Sequence, residues 1–287
     1  MNGTAATIAV LQVLIVILGV GGGWWLLNAV TAFDDHDELW QRSNWGYLVQ
    51  RVGFVAVQVI GVSSLIGQDL TNWNSLAWVG GGIVWATVLA VLGFWITDWM
   101  ILRSRATRIG ELNTVPLSVG LVRLGFYLGL ALVVRATFIG HAPDLRTSLL
   151  STAVFTLAGI AGLVIAFHLH GLVAHGNPRA AMVTGDGVTQ GLESAAVLTA
   201  VGLILYGAIA GDFTTWPESL AGFGAALGIA YVGLYVARYL IDWFVLTGEC
   251  TLKTIHAQQQ KGAAALLAFL LVMVALPISA CINLYVE

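Results

Sequence analysis

Asp98-Trp99-Met100-Ile101-Leu102 closes a long apolar run, and it returns 144 residues later as Asp242-Trp243-Phe244-Val245-Leu246 at the end of another. Upstream, Asp69-Leu70-Thr71-Asn72-Trp73 returns as Asp212-Phe213-Thr214-Thr215-Trp216, and Ser75-Leu76-Ala77 as Ser219-Leu220-Ala221. Three matches at an offset of 143 to 144 residues, half of a 287-residue chain, mark a duplication. The unit that is repeated consists of four apolar stretches separated by short polar breaks.

Working outward from the repeat, apolar residues make up 58% of the chain, charged residues only 9%, and the mean hydropathy is +0.87. A soluble domain needs more charge than this to cover its surface, so most of the chain has lipid as its solvent. A bilayer crossing takes roughly 20 mainly apolar residues. That rule predicts spans near 5–33, 45–66, 75–102, 114–139, 148–173, 179–210, 218–247 and 262–285. The expected fold is an all-α integral membrane protein with eight transmembrane helices in two tandem four-helix halves, residues 1–145 and 146–287. A four-span unit returns to its starting side, so both halves share one orientation and are expected to be related by a pseudo-twofold along the membrane normal.

Orientation follows from Lys and Arg in short loops. The odd-numbered loops hold Arg42, Arg103, Arg105, Arg108, Lys253 and Lys261, with Arg179 at the start of the sixth span; the even-numbered ones hold only Arg146. Odd loops are therefore expected in the cytoplasm and both termini outside. The first span lacks the basic leader of a signal peptide and reads as a retained helix. Cys250 and Cys281 are separated by a full crossing and are expected on opposite faces, unable to pair. A net charge of -3 with scattered basic residues leaves no nucleic-acid footprint. The lipid bilayer is the expected partner, with a homo-oligomer or a second membrane protein left open.

Each turn at the odd-loop end finishes in a polar group before a helix rich in small residues: Arg42-Ser43-Asn44, Glu111-Leu112-Asn113, His175-Gly176-Asn177 and Gln260-Lys261. This hints at a shorter repeat inside each half. With Asp37-Glu38-Leu39-Trp40-Gln41-Arg42-Ser43-Asn44, Asn177-Pro178-Arg179-Ala180-Ala181 and Lys261-Gly262-Ala263-Ala264-Ala265, the pattern resembles a bacterial inner-membrane family of unknown function typified by YjfL. That family shows an acidic residue, Asn and an Ala/Gly-rich helix in repeated hairpins. Here Lys261 replaces the Asn, and the Ala-rich run is missing after Asn44 and Asn113. The resemblance implies repeated transmembrane hairpins in a bacterial inner membrane and carries no activity with it.

Charges inside spans are the informative feature, because each costs a few kcal/mol to insert. Arg51, Asp98, Arg123, Asp186, Glu193, Arg238 and Asp242 qualify. At 1.5 Å per residue, six of them fall about 7 to 15 Å from the odd-loop ends, and Glu193 about 24 Å. Such a layer either locks helices together, as Arg238 and Asp242 are spaced to do on one helix, or lines a path for a proton, ion or small charged solute. Asp98 and Asp242 are kept by the repeat and form the candidate pair for a site on its axis. Asp186, between Gly185 and Gly187 with Glu193 beyond, invites a helix break of the kind that builds transporter sites.

His168, His170 and His175 cluster near one odd-loop end, with His36 and His256 in other such loops. No facing helix offers matching haem ligands, and these histidines are expected to bond to interfacial loops. The acidic loop Asp34-Asp35-His36-Asp37-Glu38 reads as a solvated turn. No Walker, His-Glu-x-x-His or Cys-x-x-Cys motif is present, so no catalytic residue, metal or cofactor is expected. The functional expectation is transport or conduction through the charged layer; the alternative is a non-catalytic membrane scaffold or accessory subunit.

Overall fold

A computed structural model describes residues 3–31, 35–102, 115–173, 180–182, 187–244 and 251–286. Eight helices in it are long and apolar enough to cross a membrane: α1 (Gly3–Val30), α2 (Trp45–Val62), α3 (Asn74–Leu102), α4 (Leu117–Thr137), α5 (Leu145–Val173), α6 (Val188–Ile209), α7 (Trp216–Phe244) and α8 (Lys261–Val286). No strand occurs among the described residues. A π-helical turn, His36–Gln41, precedes α2, and a short helix, Leu252–Ala257, precedes α8. The chain is thus a multi-pass membrane protein of tandem helical repeats.

The even helices form the core as an open row. The tightest packing is between α4 and α6, followed by α2 with α4 and α6 with α8. All four leave the odd-loop end in the same direction. The odd helices fill in around the row, each touching the even helices before and after it where those exist. The joint between the two halves is therefore the seam between α4 and α6, with α2 and α8 at the ends of the row.

Glycine decides where helices can approach. Lipid tails are as apolar as leucine, so helix association rests on van der Waals packing of small residues. A Cβ on Gly125 would lie 2.3 Å from the Ala195 Cα, and one on Gly202 would lie 2.3 Å from the Gly129 Cα. Gly46 and Gly120 make the equivalent approach between α2 and α4. By contrast, α1 exposes Val10, Ile17, Leu18 and Trp25 outward.

One boundary differs from the expected 179–210. Ala180–Met182 is helical, but Gly187 is not, and the membrane helix starts at Val188. Gly187 lies against the Ala181 and Met182 backbone, 2.6 Å from a hypothetical Cβ, a position that only glycine fills. The late start moves Glu193 from the expected depth of about 24 Å to the second turn of α6, about 8 Å from the helix end.

Gly202→Leu is expected to lower stability by about 1–3 kcal/mol through overpacking of the α4–α6 seam. Gly224→Ala, where nothing lies within 4 Å of the added Cβ, is expected to leave it unchanged. Thermal unfolding in detergent, followed by size-exclusion recovery, separates the two.

Candidate functional site: a buried polar layer at the odd-loop end

The charged side chains gather within about 10 Å of the helix ends at one side of the bundle, at 1.5 Å per residue. Arg51 and Arg123 are each the seventh residue of an even helix and are fully buried. They are 72 residues apart, and Asp98, His170 and Asp242 on the odd helices are spaced by the same 72. Asn28 on α1 falls 70 residues before Asp98. A quarter-chain hairpin thus repeats beneath the half-chain duplication, and each odd helix bears a polar residue at one register.

In the first hairpin Arg51 meets Asp35, 2.8 Å away, and also donates to Asn28 and the Tyr47 hydroxyl. Asp35 accepts from Tyr47 Oη at 2.5 Å and Trp24 Nε1 at 2.7 Å, and from Asn28. Burial works against the Asp35 carboxylate, yet the hydrogen bonds from Tyr47 and Asn28, the Arg51 charge and the Trp24 bond hold its pKa below the usual value. The guanidinium lies 4.7 Å from the Tyr47 ring centre and 5.2 Å from that of Trp24. Nearby, Glu38 is buried and accepts from Arg42 at 3.0 Å and Asn44 Nδ2 at 2.6 Å. Asn44 in turn caps α2 by accepting from the Tyr47 backbone N–H at 3.2 Å. The acidic loop is therefore only in part a solvated turn: His36 and Asp37 are exposed, while Asp35 turns inward to the buried Arg51 guanidinium and Glu38 to Arg42 and the capping Asn44.

In the second hairpin Arg123 donates to Asp98 on α3 and to Gln50 on α2, with Phe94 4.6 Å beneath the guanidinium. Asp98 and Asp242 do not meet. Each stands on its own hairpin, and α3 and α7 share no substantial packing contact. Asp242 is half-buried at the odd-loop end of α7.

The second half is built differently. Glu193, on α6, is fully buried and accepts from Arg238 Nε at 2.5 Å. Arg238 reaches across to α6 for this bond, in place of the expected pairing with Asp242 along α7. Two histidines join them. His256, on the short Leu252–Ala257 helix, lies 2.7 Å from Glu193 Oε2 through Nε2 and 3.2 Å from Thr189 Oγ1 through Nδ1. His170, on α5, brings its Nε2 to 4.0 Å from Glu193 Oε2. Neither ring nitrogen of His170 makes a hydrogen bond among the described residues. Thr189 Oγ1 also lies 2.9 Å from Gln190 Oε1, which accepts from Gln259 at 3.2 Å.

Of the expected site residues, then, Arg51, Arg123 and Asp98 enter the first-half network and Glu193 and Arg238 the second. Asp186 lies outside the described residues, as does His175. His168 bonds locally, 2.8 Å from the Val164 carbonyl, beside Trp99. His170 and His256, expected as interfacial histidines bonded to loops, are instead buried beside Glu193; the 72-residue register linking His170 to Asp98 and Asp242 is the signal for the first. No group of three His, Cys, Asp or Glu with metal-holding geometry occurs among the described residues, and Arg238 already occupies Glu193 Oε1.

Above this cluster, a cavity of about 10 Å³, room for about one water molecule, is lined by Arg238, Tyr235, Tyr231 and Leu271. At the opposite end of the bundle a cleft of about 470 Å³ opens between the α4–α5 and α6–α7 loops, lined by His141, Asp212, Phe155 and Glu218 among others.

Comparison with known proteins bears on this layout. The model of the family described as "Domain of Unknown Function (DUF350)" matches twice, over residues 1–138 and 144–282. The chain belongs to the DUF350 family. Two tandem copies account for the duplication, and the resemblance to a family of unknown function with repeated hairpins agrees with it. No curated protein and no solved structure matches the chain. The DUF350 description carries no activity, so function rests on the site itself.

Asp98→Leu is expected to destabilise the protein by about 3 kcal/mol, because it strands the fully buried Arg123. Adding Arg123→Met is expected to recover most of that loss. Detergent melting of both variants checks it; equal loss in the single and double variants would show that the stranded Arg123 is not the source of the loss.

Proposed function

We propose that the protein moves protons, or a small ion coupled to them, across the membrane through its second half, with Glu193, His170, His256 and Arg238 as the proton-handling centre. The observation that carries this reading is the buried Glu193 carboxylate held between an arginine and two imidazoles. Histidine changes charge near neutral pH, and chains of Asp, Glu and His are the usual proton relays of membrane proteins. The buried network of the first half pairs Arg51 with Asp35 and Arg123 with Asp98 and contains no histidine among the described residues, so in this reading the first half is the structural part of the layer and the second half the proton-handling part.

The hydrogen-bond inventory adds to this. The Thr189 hydroxyl has one proton and two acceptors, Gln190 Oε1 and His256 Nδ1. When Thr189 donates to Gln190, its oxygen is left to accept from His256 Nδ1, and the His256–Glu193 pair then holds a proton on Nδ1 in addition to the one shared between Nε2 and Glu193 Oε2. When Thr189 donates to His256, the ring is neutral. Rotation of one hydroxyl thereby accommodates a proton arriving or leaving. From Glu193 the polar line continues by Arg238 and Tyr235 to the small cavity and Tyr231. About 14 Å of α7 separates Tyr231 from Gly222 at the far cleft. Asp242 stands at the near mouth.

We further infer a bacterial inner membrane with the odd loops cytoplasmic and both termini outside, from the Lys/Arg bias and the family resemblance. The second reading, a membrane scaffold, draws on the open faces of α2 and α8 at the ends of the row.

Proteoliposomes carrying a pH-sensitive dye and an imposed potassium diffusion potential test the first reading. Wild type is expected to pass protons; Glu193→Gln is expected to reduce the flux to background, while Asp35→Asn in the other half retains it. A wild type that passes none, or a Glu193→Gln variant that passes as much, refutes the proposal.

A further inference from the structure

We propose that the open row of even helices closes against a second copy of the chain, with α8 of one protomer seated on α2 of its partner. The internal repeat supplies the argument. On α6, Gly191, Ala195 and Gly202 are buried, forming the stripe that packs against α4. The residues 143 positions earlier are Leu48, Val52 and Val59 on α2, and these are exposed. On α4, Gly125 and Gly129 lie against α6 and Val122 falls one turn before Gly125; all three are buried. Their counterparts 144 positions later are Leu266, Phe269 and Met273 on α8, again exposed. Each half therefore owns both sides of one seam. The chain uses one side from each half and leaves the other two open, at opposite ends of the row.

A head-to-tail contact between those two stripes continues the established interface in the same sense, a heterologous contact that closes into a ring where the rotation between copies closes and otherwise runs on as an open row. Both stripes start at the same end of the bundle and run parallel. Val52 is eight residues into α2 and Phe269 nine into α8, so the counterparts of the Gly125–Ala195 contact meet at one depth. Larger side chains at these positions make the seam between copies wider than the seam within the chain, near the ordinary 8–10 Å of interdigitating helices. Charge agrees with this pairing. Asp37 is exposed in the turn before α2, while Lys253 and Lys261 are exposed before and at the start of α8, on the same side of the membrane. Seating α8 on a neighbouring α2 sets acidic turn against basic turn.

Cysteine pairs in the full-length protein, with Cys250 and Cys281 replaced by Ser, test this in native membranes. Oxidation of Val52→Cys/Phe269→Cys is expected to produce covalent species at multiples of 30.4 kDa. The control Leu157→Cys/Val232→Cys, on the outward faces of α5 and α7, is expected to give none. Lys261→Glu is expected to lower the yield at the Val52–Phe269 seam several-fold, and Asp37→Lys in the same chain to restore it. A purely monomeric product, equal yields from both pairs, or a lipid-nanodisc mass of a single chain overturns the proposal. So does a cross-linked species that is no multiple of the chain mass, which would assign the face to a different partner.

Discussion

The close approach of α4 and α6 is the contact on which the rest of the bundle depends. In lipid there is no gain from burying one apolar helix on another, so two helices stay together only where their surfaces fit closely. At Gly125, Gly129 and Gly202 the backbones themselves touch, and this fixes how the two halves meet. With that seam in place, α2 and α8 take their positions on the outer flanks of the row. The odd helices fill the remaining sides, and every buried polar group faces a neighbour in place of lipid.

The same seam explains why charged residues can be carried so deep. A guanidinium on a helix exposed to lipid would be very costly, whereas one turned toward the row finds a carboxylate from the adjacent helix. The two halves reach this end with different residues. Gln50 corresponds to Glu193, Arg51 to Ser194, Phe94 to Arg238, and Arg123 to Leu267. The first half keeps its cations on α2 and α4 and draws acceptors from loop one and α3. The second half moves its cation to α7 and places the acceptor on α6. Net charge is balanced locally in both, but only the second arrangement leaves room around the carboxylate for His170 and His256. Duplication thus preserved the frame while the two halves filled it with different polar residues, Arg–Asp pairs in one and an Arg–Glu pair flanked by two histidines in the other.

Much of the frame was legible in the residues alone. Seven of the eight spans begin within a few residues of the expected positions, because length and apolarity are all that a crossing demands. The sixth start was not: the glycines around Asp186 signalled a break inside a span taken to begin at 179, whereas the membrane helix itself begins only after Gly187. Arg51, Arg123 and Glu193 were identifiable as charges that must face inward. Their partners were not. Asp35 and Glu38 sit in a loop that composition classes as solvated, and His256 lies in a short helix between spans, where sequence offers no depth. Asp98 and Asp242 looked like a pair because the repeat keeps both, yet the repeat preserves register within a hairpin and not adjacency between hairpins.

What the sequence by itself determined was the number of crossings, the duplication and the layer in which charges had to lie, because these follow from the bilayer's thickness and from the cost of exposing charge to it. The tertiary structure alone decided which acceptor each guanidinium found and which half carries the histidines. Pairing depends on the direction each helix face is turned, and that direction is set by the glycine contacts between α4 and α6, between residues some 70 positions apart. No local pattern along the chain encodes an angle between helices.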